Sequence, residues 1–490
     1  MLKSIAESPL YLMLNPRSIA FYGASNNFSA MGTTQFANIR DLGFEGSLYP
    51  IHPKLDEVQG VRAYRSVLDL PETPDLALMV LPTHIVPQMM EECGRKGIRS
   101  VIIVSGGFNE IGGEGVRLQR RIVEIAQQYH MRFLGPNCIG AVNPWHKLNT
   151  TFFPYTVSPG FIGMASQSGS FVTQMFDYLG GFGLGFSTAV SVGNEADTDI
   201  VDCLEYLAAC PHTRVIALYI ETVRRGRTFL ETARAITPHK PIVALYVGGS
   251  EAGKRAGFSH TGAMAGPDRL YDGMFRQSGI IRATSIDELF DFSWVLGACP
   301  APKGNHVIIQ THSGGPGVAA ADACGRVGLE LPPLSSATQE KLAPFVPPTA
   351  SMNNPVDLTF TKNPLDYFHA IPRVLLEGRE TDGLMVYFLM PTRTVRSALE
   401  SVGFSEDQVL EQGEKIIEDQ SAAIAGLPGK YRKPVIGYSV RTRDDLFIAK
   451  LQDKGIPVLG SPERGARAMG ALVRYARWCR DVHHREARTI

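Results

Sequence analysis

From Ser18 onward the chain alternates short apolar runs with longer amphipathic stretches, a pattern that predicts parallel sheets wrapped by helices. The first expected strands are Ser18–Gly23, Leu48–Ile51, Leu76–Leu81, Val101–Ser105 and Arg132–Leu134. Ahead of the last of these, Val116, Ile122, Val123, Ile125 and Ala126 fall near helical spacing with charges between them. This predicts a helix over Gly115–Tyr129. A second series runs through Phe161–Ala165, Thr188–Val192, Val215–Ile220, Ile242–Val247 and Ile280–Ala283. The segment Cys299-Pro300-Ala301-Pro302-Lys303-Gly304 then reads as a linker. A third series comprises Val307–Gln310, Leu384–Leu389, Val435–Val440 and Pro457–Leu459. The expected fold class is therefore α/β, in three domains at 1–150, 151–303 and 304–490. The basic tail Arg474–Ile490 is expected to be a solvated helix end, and Pro391–Lys433 holds a long acidic helix-like run.

Composition supports this reading. A chain of 490 residues exceeds one core at roughly 100–200 residues per domain. With 44% apolar and 20% charged residues it is neither disordered nor fibrous. The 48 basic and 48 acidic residues cancel, so no nucleic-acid partner is expected. Seven cysteines, scattered and without a CxxC pair, read as reduced thiols rather than a disulfide framework or a metal site. Lys3, Glu7 and Pro9 interrupt the N-terminal stretch, which lacks the core of a signal peptide. No run of about 18 apolar residues suggests a membrane span. A soluble, cytoplasmic protein is expected.

Candidate chemistry lies where strands end. The first domain, a Rossmann-like unit, has a small-residue turn from Gly23 to Gly32 that includes Ala24 and Ser25. It is not a GxGxxG fingerprint, and no acid ends the second strand to hold the ribose of NAD. A phosphorylated nucleotide with Lys54 nearby fits better; the alternative is a tight turn beside an ordinary surface lysine. In the second domain, Ser166-Gln167-Ser168-Gly169-Ser170 precedes a helix, either as a phosphate cradle or as a plain cap. The third domain has Thr311-His312-Ser313-Gly314-Gly315-Pro316-Gly317 in the same position, with the same two readings. Glu221 ends a strand, where its carboxylate could hold one imidazole nitrogen and leave the other nucleophilic, or could be a solvated strand-end acid. Asn137 also follows a strand; its neighbour Cys138 has no base beside it and reads as a buried thiol. Ser259-His260-Thr261-Gly262-Ala263-Met264-Ala265-Gly266 offers one histidine among small residues, an accessible imidazole or an incidental one.

Together these segments, with Asn15-Pro16-Arg17-Ser18, Ser105-Gly106-Gly107-Phe108, Asn354-Pro355-Val356-Asp357-Leu358 and Gly460-Ser461-Pro462-Glu463, resemble the NDP-forming acyl-CoA synthetases. That superfamily includes succinyl-CoA synthetase, and the likeness is strongest to ADP-forming acetate–CoA ligase α subunits. The resemblance implies a CoA-binding Rossmann-like domain followed by two flavodoxin-like ligase domains. It implies that His260 takes a phosphoryl group from an acyl phosphate and passes it to ADP, with Glu221 orienting the imidazole and Asn137 near the acyl group. Gly23, Ala24, Ser25, Gly32, Lys54, Pro82, Ser105 and Gly106 would contact CoA. Phosphate would be held by Ser166, Gln167, Ser168, Gly169 and Ser170 and by Gly314, Gly315 and Gly317. The substrates implied are CoA, a small carboxylic acid and ATP or ADP with Mg2+. Because all three domains are assigned, an ATP-grasp β subunit is expected as partner, in an α2β2 or related assembly. His312 departs from the family's usual pattern, and Pro391–Lys433, which matches the family least clearly, could be an insertion facing a partner. A non-catalytic CoA-binding regulatory protein and an NAD-linked oxidoreductase are the alternatives.

Overall fold

The computed structural model describes residues 4–27, 29–255, 266–358, 362–390 and 392–486. They form two compact units, one of residues 1–180 and 184–284, the other of 181–183 and 285–490.

The first unit holds two large sheets. In the first, β1 (Ser18–Tyr22), β2 (Ser47–Ile51), a small antiparallel hairpin of β3 (Glu57–Val58) and β4 (Val61–Arg62), β5 (Leu76–Met79), β6 (Ser100–Ile103) and β7 (Arg132–Leu134) follow in sequence. The sheet runs β2-β1-β5-β6-β7, all parallel. Strands β1, β5 and β6 are buried along their whole length, which is why they read as unbroken apolar runs rather than alternating ones. The expected helix is present at Gly113–Gln128.

The second sheet contains β8 (Ala141–Asn143), β9 (Leu148–Asn149), β10 (Ile162–Ser166), β11 (Phe186–Ser191), β12 (Val215–Ile220), β13 (Ile242–Tyr246) and β14 (Ile281–Ala283), in the order β14-β13-β12-β10-β11-β8-β9. Strands β8 and β9 are antiparallel additions at one edge. The sequence reading gave these residues to the first domain and no strand; at two or three residues each they carry no period to detect. One apolar cluster, from Leu14, Phe21 and Phe36 to Leu204, Leu218 and Phe229, spans the two sheets.

The second unit holds β15 (Val307–Thr311), β16 (Val356–Asp357), β17 (Gly383–Tyr387), β18 (Val435–Tyr438) and β19 (Val458–Leu459), in the order β16-β15-β17-β18-β19. Counting parallel strands in chain order, all three sheets therefore run 2-1-3-4-5. In that arrangement the crossovers leave in opposite directions from the first and third strands, and the gap outside their carboxyl ends is where α/β sheets place ligands.

Within 392–433 the chain forms helices Thr392–Ser401, Glu406–Ala425 and Leu427–Tyr431. The C-terminal segment belongs to one helix, Pro462–Glu486, and is less solvated than its composition suggests: Ala476 is buried, and Arg480 donates to the Pro302 carbonyl at 2.9 Å. Arg464 on this helix makes a two-pronged ion pair with the buried Asp291 on helix Ile286–Ala298, at 2.7 Å through both nitrogens. Without Asp291 the Arg464 guanidinium loses its close two-pronged partner and keeps the longer ion pair to Asp287, at 3.6 Å. Asp291→Ala is expected to destabilise the second unit by about 3 kcal/mol, read as a lower denaturant midpoint.

Candidate active site

A cleft of about 780 Å³ opens where the carboxyl edges of the first and second sheets meet within the first unit. It is lined from one side by Gly23 and Gly32 after β1, by Pro82 after β5, and by Ser105 and Gly106 after β6. From the other side come Gln167, Ser168, Gly169 and Ser170 after β10, Asn194 and Glu195 after β11, and Glu221 after β12. Both switch points thus face one space.

The β1 turn is shaped by close approach. Gly23 has φ +96°, and a Cβ there would lie 2.0 Å from the Val80 carbonyl oxygen; one on Gly32 would lie 2.4 Å from the oxygen of Gly23. Ala24 is buried, and the Ser25 hydroxyl bonds Thr33 at 3.0 Å, so both brace the turn instead of lining the cleft. Lys54 is exposed, beyond the end of β2, and is not among the residues lining the cleft. The Ser105 hydroxyl accepts from the Leu81 N–H at 3.0 Å, tying the β5 and β6 loops together.

Asn137 lines the cleft with φ +57°, a conformation asparagine tolerates, and its amide donates to Asn194 Oδ1 at 3.2 Å. The Cys138 thiol donates to the Ile103 carbonyl and burial pushes it up to about 12, so it is no nucleophile, as its surroundings in sequence suggest.

The turn after β10 is braced by a hydroxyl. Ser166 Oγ donates to the Ser168 carbonyl at 2.7 Å and accepts from the Ser168 N–H at 3.1 Å, and helix Gly169–Gly180 begins directly after. The turn after β15 repeats this: Thr311 Oγ1 donates to the Ser313 carbonyl at 2.8 Å and accepts its N–H at 3.1 Å, before helix Gly314–Arg326. In each case the brace leaves the first helical N–H groups, those of Gly169 and Ser170 or of Gly314 and Gly315, as the donors a helix start presents to an anion. Gly317 is buried under Thr311, where a Cβ would meet the threonine methyl at 2.8 Å, so it packs the helix onto its strand. His312 stands between Tyr367 and Tyr387, with ring centroids at 5.3 and 5.0 Å, and burial lowers its pKa.

Gln167 is occupied differently from the sequence reading. Its backbone N–H bonds the Tyr219 carbonyl, and its carboxamide is engaged with the end of β12 and with Glu195, leaving it no donor for phosphate.

His260 and its loop, 256–265, lie outside the described residues. The chain enters that loop past the carboxyl end of β13, which pairs in parallel with β12 so that Ile220 stands opposite Tyr246. The loop's exit is held by a bond from the Tyr246 hydroxyl to the Gly266 carbonyl at 2.8 Å. Glu221, the residue after Ile220, therefore sits at the edge from which the histidine loop departs.

Sequence reasoning missed Glu195 and Arg224. Glu195 is buried with φ +50°, and burial pushes its carboxyl up to about 7 against the pull of Arg224 and of its two hydrogen-bond donors. Arg224 donates to the carbonyls of Glu195 and Asn194, both at 2.8 Å. The local signal was weaker than at Glu221: Glu195 lies four residues past the end of β11, whereas Glu221 directly follows β12. A folded-state pKa of about 7 above the ordinary 4.5 means that the folded chain holds the extra proton between those values. The contribution to stability is complete below 4.5 and is lost as pH rises through 7. It amounts to about 3 kcal/mol at 1.36 kcal/mol per pH unit. Glu195→Gln is expected to flatten that part of a stability–pH curve measured by denaturant unfolding.

Among the described residues no helix is long and apolar enough to cross a membrane, and no cluster of metal-ligating side chains occurs. Three family models match the chain: a CoA binding domain over 17–144, a succinyl-CoA ligase like flavodoxin domain over 159–296, and a ligase-CoA domain over 307–396. The last match stops within helix Thr392–Ser401. The α subunit of acetate–CoA ligase [ADP-forming] II from Pyrococcus furiosus is 39% identical, over 94% of this chain and 97% of its own. A 4-hydroxybutyrate–CoA ligase [ADP-forming] from Nitrosopumilus maritimus is 33% identical over 97% of this chain but only 65% of its own length. Among solved structures, dinucleotide-forming acetyl-coenzyme A synthetase 1 of Ca. Korarchaeum cryptofilum, in complex with phosphate and ADP, superposes with a TM-score of 0.85 at 32% identity, covering 97% of this chain and 98% of that one. With the order of its domains, its strand-end turns and relatives matched end to end all in agreement, the chain belongs to the ADP-forming acyl-CoA synthetases, acid–thiol ligases whose α subunits it matches throughout.

Proposed function

We propose that this chain carries the acyl and phosphoryl steps of ATP + carboxylate + CoA ⇌ acyl-CoA + ADP + phosphate. The observation that carries the reading is the single cleft shared by the two switch points, with the glycine turn of the first sheet facing Glu221 and the start of helix Gly169–Gly180. CoA lies along Gly23, Gly32, Pro82, Ser105 and Gly106, where the absence of Cβ atoms at Gly23 and Gly32 lets the turn pack close against the Val80 carbonyl and so shapes the wall that the ligand meets. Phosphate attacks the thioester carbonyl, the C–S bond breaks, and CoA leaves as the acyl phosphate forms. The lone pair of a His260 nitrogen then attacks phosphorus, and the P–O bond to the carboxylate breaks. Glu221 accepts the N–H of the other ring nitrogen and stabilises the cation that develops. The amides of Gly169 and Ser170 neutralise the moving phosphoryl group, and in the second unit the helix start at Gly314 and Gly315 offers phosphate amides of the same kind. Asn137 faces the acyl end. Phosphohistidine finally passes the group to ADP.

Relatives named as α subunits imply a partner subunit. We assign it an ATP-grasp fold that binds ADP with Mg2+, in a cytoplasmic α2β2 complex. Incubating the co-purified complex with acetyl [32P]phosphate tests the reading. An acid-labile, base-stable label on this chain is expected, and its absence, or its persistence in His260→Ala, would overturn it.

A further inference from the structure

Beyond Ile220 the end of β12 is tied to a side chain instead of a neighbouring strand. The Gln167 carboxamide oxygen accepts from the backbone N–H groups of Glu221 at 2.6 Å and Thr222 at 2.9 Å. Its nitrogen donates to the Thr222 carbonyl at 2.8 Å and to Glu195 Oε2 at 2.9 Å. Both acceptor sites and both donor hydrogens of the amide are thus in use. The other Glu195 oxygen accepts from the Ile200 N–H at 2.9 Å.

This pattern has only one orientation. Turning the amide over would set its NH2 against two backbone donors and its oxygen against a carbonyl and a carboxylate. Glu195 is the outer half of that constraint, because its ionised carboxylate, the form held above about pH 7 where the test is run, presents only acceptors to the two donors that face it. Its carboxylate is turned inward by a loop with positive φ at Gly193 and at Glu195, where a Cβ on Gly193 would lie 2.3 Å from the Pro136 carbonyl oxygen. Arg224, three residues after Glu221, reaches back to clamp the same loop through the carbonyls of Asn194 and Glu195.

We propose that Glu195 is a positioning residue for phosphoryl transfer: through Gln167 it fixes the backbone from which Glu221 meets the imidazole. The inference rests on the role of Glu221 given above. A carboxylate that must hold one ring nitrogen within hydrogen-bond reach tolerates little displacement, and a shift of about 1 Å in such a group costs on the order of 100-fold in rate.

The test measures two quantities on the co-purified complex: the rate of chain labelling by acetyl [32P]phosphate, and the dissociation constant for CoA. Glu195→Gln sets an NH2 group against either the Ile200 N–H or the Gln167 amide. It is expected to slow labelling roughly 10- to 100-fold while CoA affinity stays within about twofold. Gln167→Glu alone sets two carboxylates against each other and is expected to be at least as slow. The double variant Gln167→Glu with Glu195→Gln restores the match. The new carboxylate at 167 accepts from the Glu221 and Thr222 N–H groups and from the new amide at 195, whose oxygen still accepts from Ile200, while the Thr222 carbonyl loses its donor and faces a carboxylate oxygen, and Arg224 loses its longer ion pair with residue 195, 3.9 Å in the parent. It is expected to label at least about tenfold faster than Gln167→Glu. Labelling of Glu195→Gln at the parent rate, CoA affinity falling in step with labelling, or a double variant no faster than the slower single one would each overturn the inference. A parent complex that takes no label overturns the functional reading, and this inference with it, whereas a labelled parent with an unaffected Glu195→Gln overturns the inference alone.

Discussion

His260→Ala is expected to lower kcat for acyl-CoA formation by at least about 10,000-fold while leaving the dissociation constant for CoA within about twofold. The size follows from what the side chain supplies. In the proposed sequence the imidazole is the phosphoryl carrier between two sites, so its loss removes a covalent intermediate and leaves no direct route from acyl phosphate to ADP. Cradle donors such as the amides of Gly169 and Ser170 would still bind the phosphate, but they cannot relay it. CoA affinity is spared because the glycine turn that receives it follows β1, on a different sheet from the loop that carries the histidine. Parallel steady-state kinetics and CoA titration check both halves, and a variant that retains more than about 1% of kcat would exclude an obligatory phosphohistidine.

How much of this was legible in the sequence depends on the kind of signal. Buried parallel strands such as β5 and β6 declare themselves as continuous apolar runs, and each candidate turn follows such a run, so the positions of Gly23, Asn137, Ser168 and Glu221 at sheet edges could be read directly. That the first two sheets share one cleft could not, because nothing in a local pattern tells which edges face each other. The same limit hid the occupation of Gln167. Sequence offers an amide next to two serines at a helix start, and only the folded chain shows its four hydrogen-bonding positions filled from residues 28, 54 and 55 positions away. Glu195 was missed for another reason: its carboxylate turns inward only because the backbone at Gly193 and Glu195 adopts positive φ. Lys54, an unremarkable surface lysine among prolines in the sequence, stays exposed and outside the cleft.

Gly23→Ala is expected to abolish CoA binding and to destabilise the first unit by about 3 kcal/mol or more. Two effects contribute, and a second glycine separates them. Gly23 and Gly60 both have positive φ, +96° and +80°, so a methyl group at either position carries the left-handed penalty of about 1–2 kcal/mol. They differ in their surroundings: a Cβ on Gly60 meets nothing within 4 Å, while one on Gly23 falls 2.0 Å from the Val80 carbonyl oxygen, which is rigid backbone. Relief requires β1 and the loop after β5 to move apart, and those are the two walls between which the first switch point opens. Gly60→Ala should therefore lower stability by about 1 kcal/mol with CoA affinity unchanged. Gly32→Ala, whose Cβ would meet the Gly23 oxygen at 2.4 Å, should lose CoA binding as Gly23→Ala does. Calorimetric CoA titration of the three variants beside their unfolding curves gives the comparison. Equal losses at Gly23 and Gly60 would mean that backbone conformation alone, and not the close approach across the switch point, decides whether the turn can receive its ligand.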